Sequence, residues 1–77
     1  MYNHTVRVIF TDHAKLRMSE RDITIDDVCE ALQNPEVKMP GKTGAVKIFS
    51  TVRRGKICIV YAVKSENVFR IISTWWR

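Results

Sequence analysis

The chain has 77 residues, which allows one domain (residues 1–77) and one small core burying about 60% of the unfolded surface. Apolar residues make up 45% of it, enough for such a core, yet no run approaches the roughly 18 apolar residues that span a membrane. Thirteen Lys and Arg against eight Asp and Glu leave a charge of +5, a field that draws polyanions such as nucleic acid and equally suits solubility or an acidic protein partner.

Residues 1–5 lack the basic and apolar regions of a secretory signal, so a cytoplasmic protein is expected. Val6 to Phe10, rich in β-branched and aromatic residues, reads as a first strand. Thr11 and Asp12 are good N-caps for a helix from Asp12 to Glu20. Thr24 caps a second helix, with Asp27 three residues on as in a capping box and Ile23 and Val28 as a hydrophobic staple. Ile25, Val28, Cys29 and Leu32 make its apolar stripe, and Asn34-Pro35 ends it. Met39 to Gly44, with Pro40, Gly41 and Gly44, reads as a loop.

Strands follow at Ala45–Val52, Lys56–Val63 and Val68–Trp75. The turns at Arg53–Gly55 and Ser65–Asn67 are short, so neighbouring strands are expected to pair antiparallel. Lys56–Val63 is apolar on both faces and suits the centre of a sheet. The expected fold is α+β, in the order β-α-α-β-β-β, with two helices packed on one antiparallel sheet. Cys29 and Cys58 have neither disulfide-scaffold nor metal-ligand spacing, and free thiols are expected.

His13, Arg17 and Arg21 are spaced i, i+4, i+8 and lie within about 80° of one another on a helix. A histidine and two guanidinium groups in a row suit a phosphodiester, since arginine holds phosphate oxygens in pairs and histidine moves a proton near neutral pH. The same spacing also describes a solvated basic face. Arg53, Arg54 and Lys56 cluster at a hairpin tip, where they can grip a phosphate backbone or simply aid solubility. Trp75 and Trp76 must point to opposite faces of the last strand, one completing the core and the other free to stack on a base. Glycine-rich phosphate loops, HExxH and serine elbows are absent, so no cofactor and no metal is expected. The acidic second helix, with Asp26, Asp27 and Glu30, argues against helix-turn-helix DNA recognition.

The segment Phe10 to Leu32 resembles the small bacterial family known as domain of unknown function 4258. Members typically read His-Ala-x-x-Arg-Met-x-x-Arg-Gly-Ile-(Ser/Thr), then a Val-centred helix and a proline. His13-Ala14, Arg17-Met18, Arg21, Ile23, Thr24, Val28, Ala31-Leu32 and Pro35 match, and Asp22 stands where glycine is usual. Phe69 to Ser73 is similar to the Arg-Ile-Ile-Ser closing strand of BrnT-type toxins, and the element order resembles RelE and ParE.

These likenesses imply a metal-independent endoribonuclease toxin that cleaves RNA by 2′-hydroxyl attack. The implied partners are mRNA or ribosome-bound RNA and a cognate antitoxin. The implied site joins His13, Arg17 and Arg21 to Arg70 and Ser73. RelE-like ribonucleases often carry a tyrosine near the C-terminus. Trp75 stands there instead and can stack but not transfer a proton, which leaves His13 as the proton carrier. A ParE-like protein that binds DNA gyrase and an accessory nucleic-acid-binding domain are the alternatives.

Overall fold

The computed structural model describes residues 7–77. In chain order the elements are β1 (Arg7–Phe10), α1 (Asp12–Arg21), α2 (Ile25–Gln33), β2 (Val37–Pro40), a 3₁₀ turn (Lys42–Gly44), β3 (Val46–Val52), β4 (Gly55–Ser65) and β5 (Val68–Trp76). Val6, expected to begin the first strand, lies outside the described residues.

Both helices start as their residue types dictate. The Thr11 hydroxyl accepts from the Ala14 N–H at 3.0 Å. At α2 the capping box is reciprocal: the Thr24 hydroxyl accepts from the Asp27 N–H at 3.1 Å, and the Asp27 carboxylate accepts from the Thr24 N–H at 2.9 Å. α1 ends in a left-handed residue, Asp22 (φ 56°, ψ 46°). The Ile23 N–H then closes on the Met18 carbonyl at 2.9 Å and the Asp22 N–H on the Ser19 carbonyl at 3.5 Å. Ile23 and Met18 are both buried, completing a Schellman ending with its hydrophobic contact. Such a position favours glycine, and aspartate is among the few other residues that tolerate it.

The sheet has five strands in the order β1-β5-β4-β3-β2. β3–β4 and β4–β5 pair antiparallel, as the short turns require, and β2–β3 pairs antiparallel as well. β1 instead pairs parallel with β5, so the sheet is mixed rather than wholly antiparallel. The helical segment carries the chain away from β1, and β5 later enters beside β1 in the same direction. A second difference is β2, which pairs with β3 as an edge strand and takes in Met39 and Pro40, two residues read from the sequence as the start of a loop. Pro40 can end that strand because an edge position needs no further N–H donor.

β4 lies at the centre of the sheet, as its two apolar faces predicted. Both helices pack on one side. Ala14, Met18, Ile23, Val28 and Ala31 meet Ile48, Val52, Ile57, Ile59, Tyr61 and Ile71 in one core. Ile25, expected in the α2 stripe, is exposed, because α2 leans on the sheet through Val28 and Ala31.

A bulge in β5 decides what the other side of the sheet presents. Val60 pairs with Ser73 but Tyr61 pairs with Ile71, leaving Ile72 as an extra residue. A one-residue insertion exchanges the faces of everything beyond it. Arg70 and Ser73, which a regular strand would place on opposite sides, therefore both lie away from the helices. Trp76 turns toward the core, and Trp75 joins the open face.

Candidate nucleic-acid interface

The α1 row does not form one site with Arg70 and Ser73. α1 packs against β5 on the helical side of the sheet, whereas Arg70 and Ser73 share their face with Ala62 and Val60 on the other. The five residues proposed as one catalytic group are thus divided by the sheet.

Within the row the roles also diverge. Arg21 donates to the Thr74 carbonyl at 2.8 Å, and the Trp76 indole N–H donates to the Arg21 carbonyl at 2.8 Å. Arg21 therefore ties the end of α1 to β5. Arg17 pairs with Glu20 at 2.8 Å, an exposed i,i+3 contact of little energetic weight. His13 is exposed on α1. The other positions of the motif are structural: Ala14, Met18 and Ile23 are core, and Thr24 is a cap.

The hairpin tip is divided too. Arg54 places one guanidinium nitrogen on Asp22 and another on Asp27, each at 2.7 Å, and lies 5.6 Å over the Trp76 ring. Asp27 is only 3% exposed, so this ion pair answers a buried charge. The Arg53 N–H donates to the Glu30 carboxylate at 3.0 Å, and its side chain is exposed. Lys56 is exposed and pairs across the sheet with Thr51, one step along from Cys58. Of the three tip cations, Arg54 clamps the helices to the hairpin, while Arg53 and Lys56 face solvent.

The open face of the sheet holds a different arrangement. Trp75 stands opposite Cys58, which stands opposite Phe49 on β3, so the two aromatics flank a small residue on one row. Lys47 Nζ lies 5.4 Å from the Phe49 centroid and 5.6 Å from that of Trp75, and the Arg77 guanidinium lies 4.4 Å from Phe49. Beneath them Cys58 is fully buried. Burial pushes its thiol upward, with Lys47 and Arg77 partly opposing the shift. Beside this patch is a groove of about 590 Å³ walled by the 3₁₀ turn and lined by Met39, Lys42, Thr43, Lys47, Val60 and Ile72.

Charge separates with the layers. Residues 12–33 hold six carboxylates and three Lys or Arg, whereas residues 34–77 hold nine Lys or Arg and two carboxylates, Glu66 and Glu36, the latter accepting from the Thr51 hydroxyl at 2.9 Å at one end of the open face. Among the described residues Lys47, Arg70 and Arg77 form no salt bridge. Lys47, Phe49 and Arg77 were not singled out from the sequence. The signal was the alternation Lys47-Phe49-Thr51 on β3, which becomes informative only when the register places it beside Trp75.

Among the described residues no group of three or more His, Cys, Asp or Glu is arranged to hold a metal ion, and none of their helices is long and apolar enough to cross a membrane. Cys29 and Cys58 are free thiols.

Fold and face together define a two-layer α+β domain with an acidic helical side and a basic, aromatic sheet side. The chain belongs to the family described as Domain of unknown function (DUF4258), which matches residues 10–76 and so takes in both layers. Neither a curated protein nor a solved structure matches it.

Proposed function

We propose that this chain is an RNA-directed protein that binds single-stranded RNA across the open face of its sheet. The observation that carries this reading is the Phe49–Trp75 row with Lys47 beside both rings and no carboxylate paired to that lysine. Single strands are bound by just this combination: aromatic faces on which bases stack, and cations that follow the backbone. Arg70 and Lys56 extend the positive surface on either side of the row, and Ser73 adds a hydroxyl.

The finer form of the proposal is the metal-independent endoribonuclease toxin expected from the resemblance. Cleavage by 2′-hydroxyl attack needs a base, an acid and positive charge for the developing phosphorane. Arg70, Lys47 and Lys56 offer the charge. His13, the one histidine among the described residues, is on the helical side. Binding is therefore the better supported function, and cleavage is a separate measurement. A cognate antitoxin would compete with RNA by laying an acidic segment over the same face. A ParE-like protein would use its surface on gyrase instead.

The test is fluorescence anisotropy with a labelled eight-nucleotide RNA in EDTA, read across a salt series, with an electrophoretic assay for cleavage on the same samples. Salt-sensitive binding that Trp75→Ala weakens is the expected result. Absence of binding, or binding indifferent to Trp75→Ala, overturns the assignment of the face. Cleavage abolished by His13→Ala would add the ribonuclease function and move the chemistry to the helical side.

A further inference from the structure

We infer that the open face reads two consecutive nucleotides, one base stacked on the Trp75–Phe49 row and the next seated in the groove beside it, with Lys47 on the phosphate between them. The inference rests on the RNA-binding reading above.

Position comes first. Val60, on the groove floor, and Cys58, under the aromatic row, are two residues apart on the same face of β4, about 6.8 Å at the rise of an antiparallel strand. That is the scale of one nucleotide step in an extended single strand. Lys47 bridges the two places: it is the register partner of Val60 and lines the groove, while its Nζ stays 5.6 Å from the Trp75 ring. A lysine is a compact charge on a flexible stem, suited to a phosphate approached from either side.

The chemistry of the groove is the second point. Val60, Ile72 and Met39 give it apolar surfaces against which a flat base can lie. Lys42 and Lys47 give it two cations, and no carboxylate lines it. Its volume of about 590 Å³ falls in the usual range for ligand sites, roughly 300–1,000 Å³. Charge thus selects an anionic occupant, and the apolar lining selects one with a planar, weakly polar part. A nucleotide is both.

Both walls are built before a ligand arrives. On one side Ile72 is the bulged residue of β5, and bulges commonly re-aim side chains at functional places. On the other, the turn is closed by its own hydrogen bonds, Gly41 N–H to the Ala45 carbonyl at 2.8 Å and Ala45 N–H to the Lys42 carbonyl at 3.1 Å. Thr43 sits there at φ 54°, a costly conformation for a β-branched residue and one that tends to occur at ligand-facing turns.

The experiment compares uridine monophosphate, the dinucleotide UpU and an eight-nucleotide oligouridine, by titration and by following Trp75 indole and Thr43 amide NMR signals. For the native chain UpU should bind roughly 5- to 150-fold more tightly than the mononucleotide, since a seated base contributes roughly 1–3 kcal/mol. The Thr43 amide should move with UpU and stay still with the mononucleotide. Val60→Phe, which raises the groove floor, should reduce the dinucleotide-to-mononucleotide ratio to below about threefold. Met39→Phe narrows the groove from the exposed edge strand and serves where Val60→Phe disturbs folding. If RNA binds but the ratio survives a folded groove-filling variant, the two-nucleotide reading is overturned while RNA binding stands. If none of the three ligands moves the Trp75 signal, the RNA-binding reading itself fails, and this inference with it.

Discussion

Trp75 and Trp76 are neighbours in the chain, each lies beside a cation, and the two cations are used in opposite ways. Arg54 covers Trp76 and spends its charge on Asp22 and Asp27, joining the end of α1, the start of α2 and the β3–β4 hairpin. Lys47 stands beside Trp75 with no ion pair among the described residues. A cation beside an aromatic ring is therefore not in itself a sign of function. The carboxylates around it decide whether it holds the fold or awaits a ligand.

The sharpest way to break this comparison is Arg54→Ala. It leaves Asp27 buried without its counter-ion, and unfolding in urea should show a loss of about 2–3 kcal/mol. That is less than a wholly buried pair would lose, because the Arg54 side chain is 41% exposed. A loss under about 1 kcal/mol would mean that capping alone satisfies Asp27.

Next come the two tryptophans, which should respond in opposite assays. Trp76→Ala should cost about 2 kcal/mol of stability, below the range for fully buried rings because Trp76 is only partly buried. Trp75→Ala should instead weaken RNA binding about tenfold or more, with a smaller change in unfolding midpoint. If the two variants exchange phenotypes, the faces have been assigned the wrong way round.

A gentler test is the dependence of RNA affinity on salt. Each lost phosphate contact on a single strand lowers the log–log slope by about 0.7, so Lys47→Gln with Arg70→Gln should flatten it by about 1.4. Arg54→Ala should leave the slope where it was. An equal effect from Arg54 would show that the clamp opens to meet RNA.

The smallest effect is on alkaline stability. Burial raises the Cys58 thiol and the Tyr61 phenol, and burial with Asp26 raises the Cys29 thiol. In that range the unfolded chain releases these protons before the folded one does, so folding loses ground as pH rises. Stability should hold up to the ordinary thiol value of 9.0 and decline above it, further past the ordinary phenol value of 10.0. Urea midpoints taken from about pH 8 to about pH 11 measure this, and Cys58→Ala should make the decline shallower. A midpoint that climbs above pH 9 would contradict burial as the cause.

What the sequence disclosed follows the range of each interaction. The Thr24–Asp27 capping box and the two hairpins depend on residues three or four apart, and they form as read. The central place of β4 was visible in its two apolar faces. Helical spacing correctly put His13, Arg17 and Arg21 in a row, but spacing cannot say what stands opposite a row. The acceptor for Arg21 is the Thr74 carbonyl, 53 residues away, and the partners of Arg54 are 27 and 32 residues away. The parity of β5 was hidden as well. That Trp75 and Trp76 oppose one another was legible, but which faces outward depends on the Ile72 bulge. Phe49 and Lys47 went unnoticed for the same reason, since they matter only through their register with Trp75.

The position of β5, after every other described element in sequence yet second in the sheet, bears on how this protein is made. Chains are synthesised from the N-terminus, and contacts distant in sequence form late. Among the described strands β1 has β5 as its sole neighbour, and α1 rests chiefly on β5. A nascent chain on the ribosome can close the β3–β4 hairpin early, yet β1 and α1 have nowhere to dock until residues 68–76 emerge. Trp75 and Trp76 emerge with that same segment. The core and the half-buried aromatic row are thus completed together, and a chain stalled before Val68 presents neither an occupied core nor a working surface.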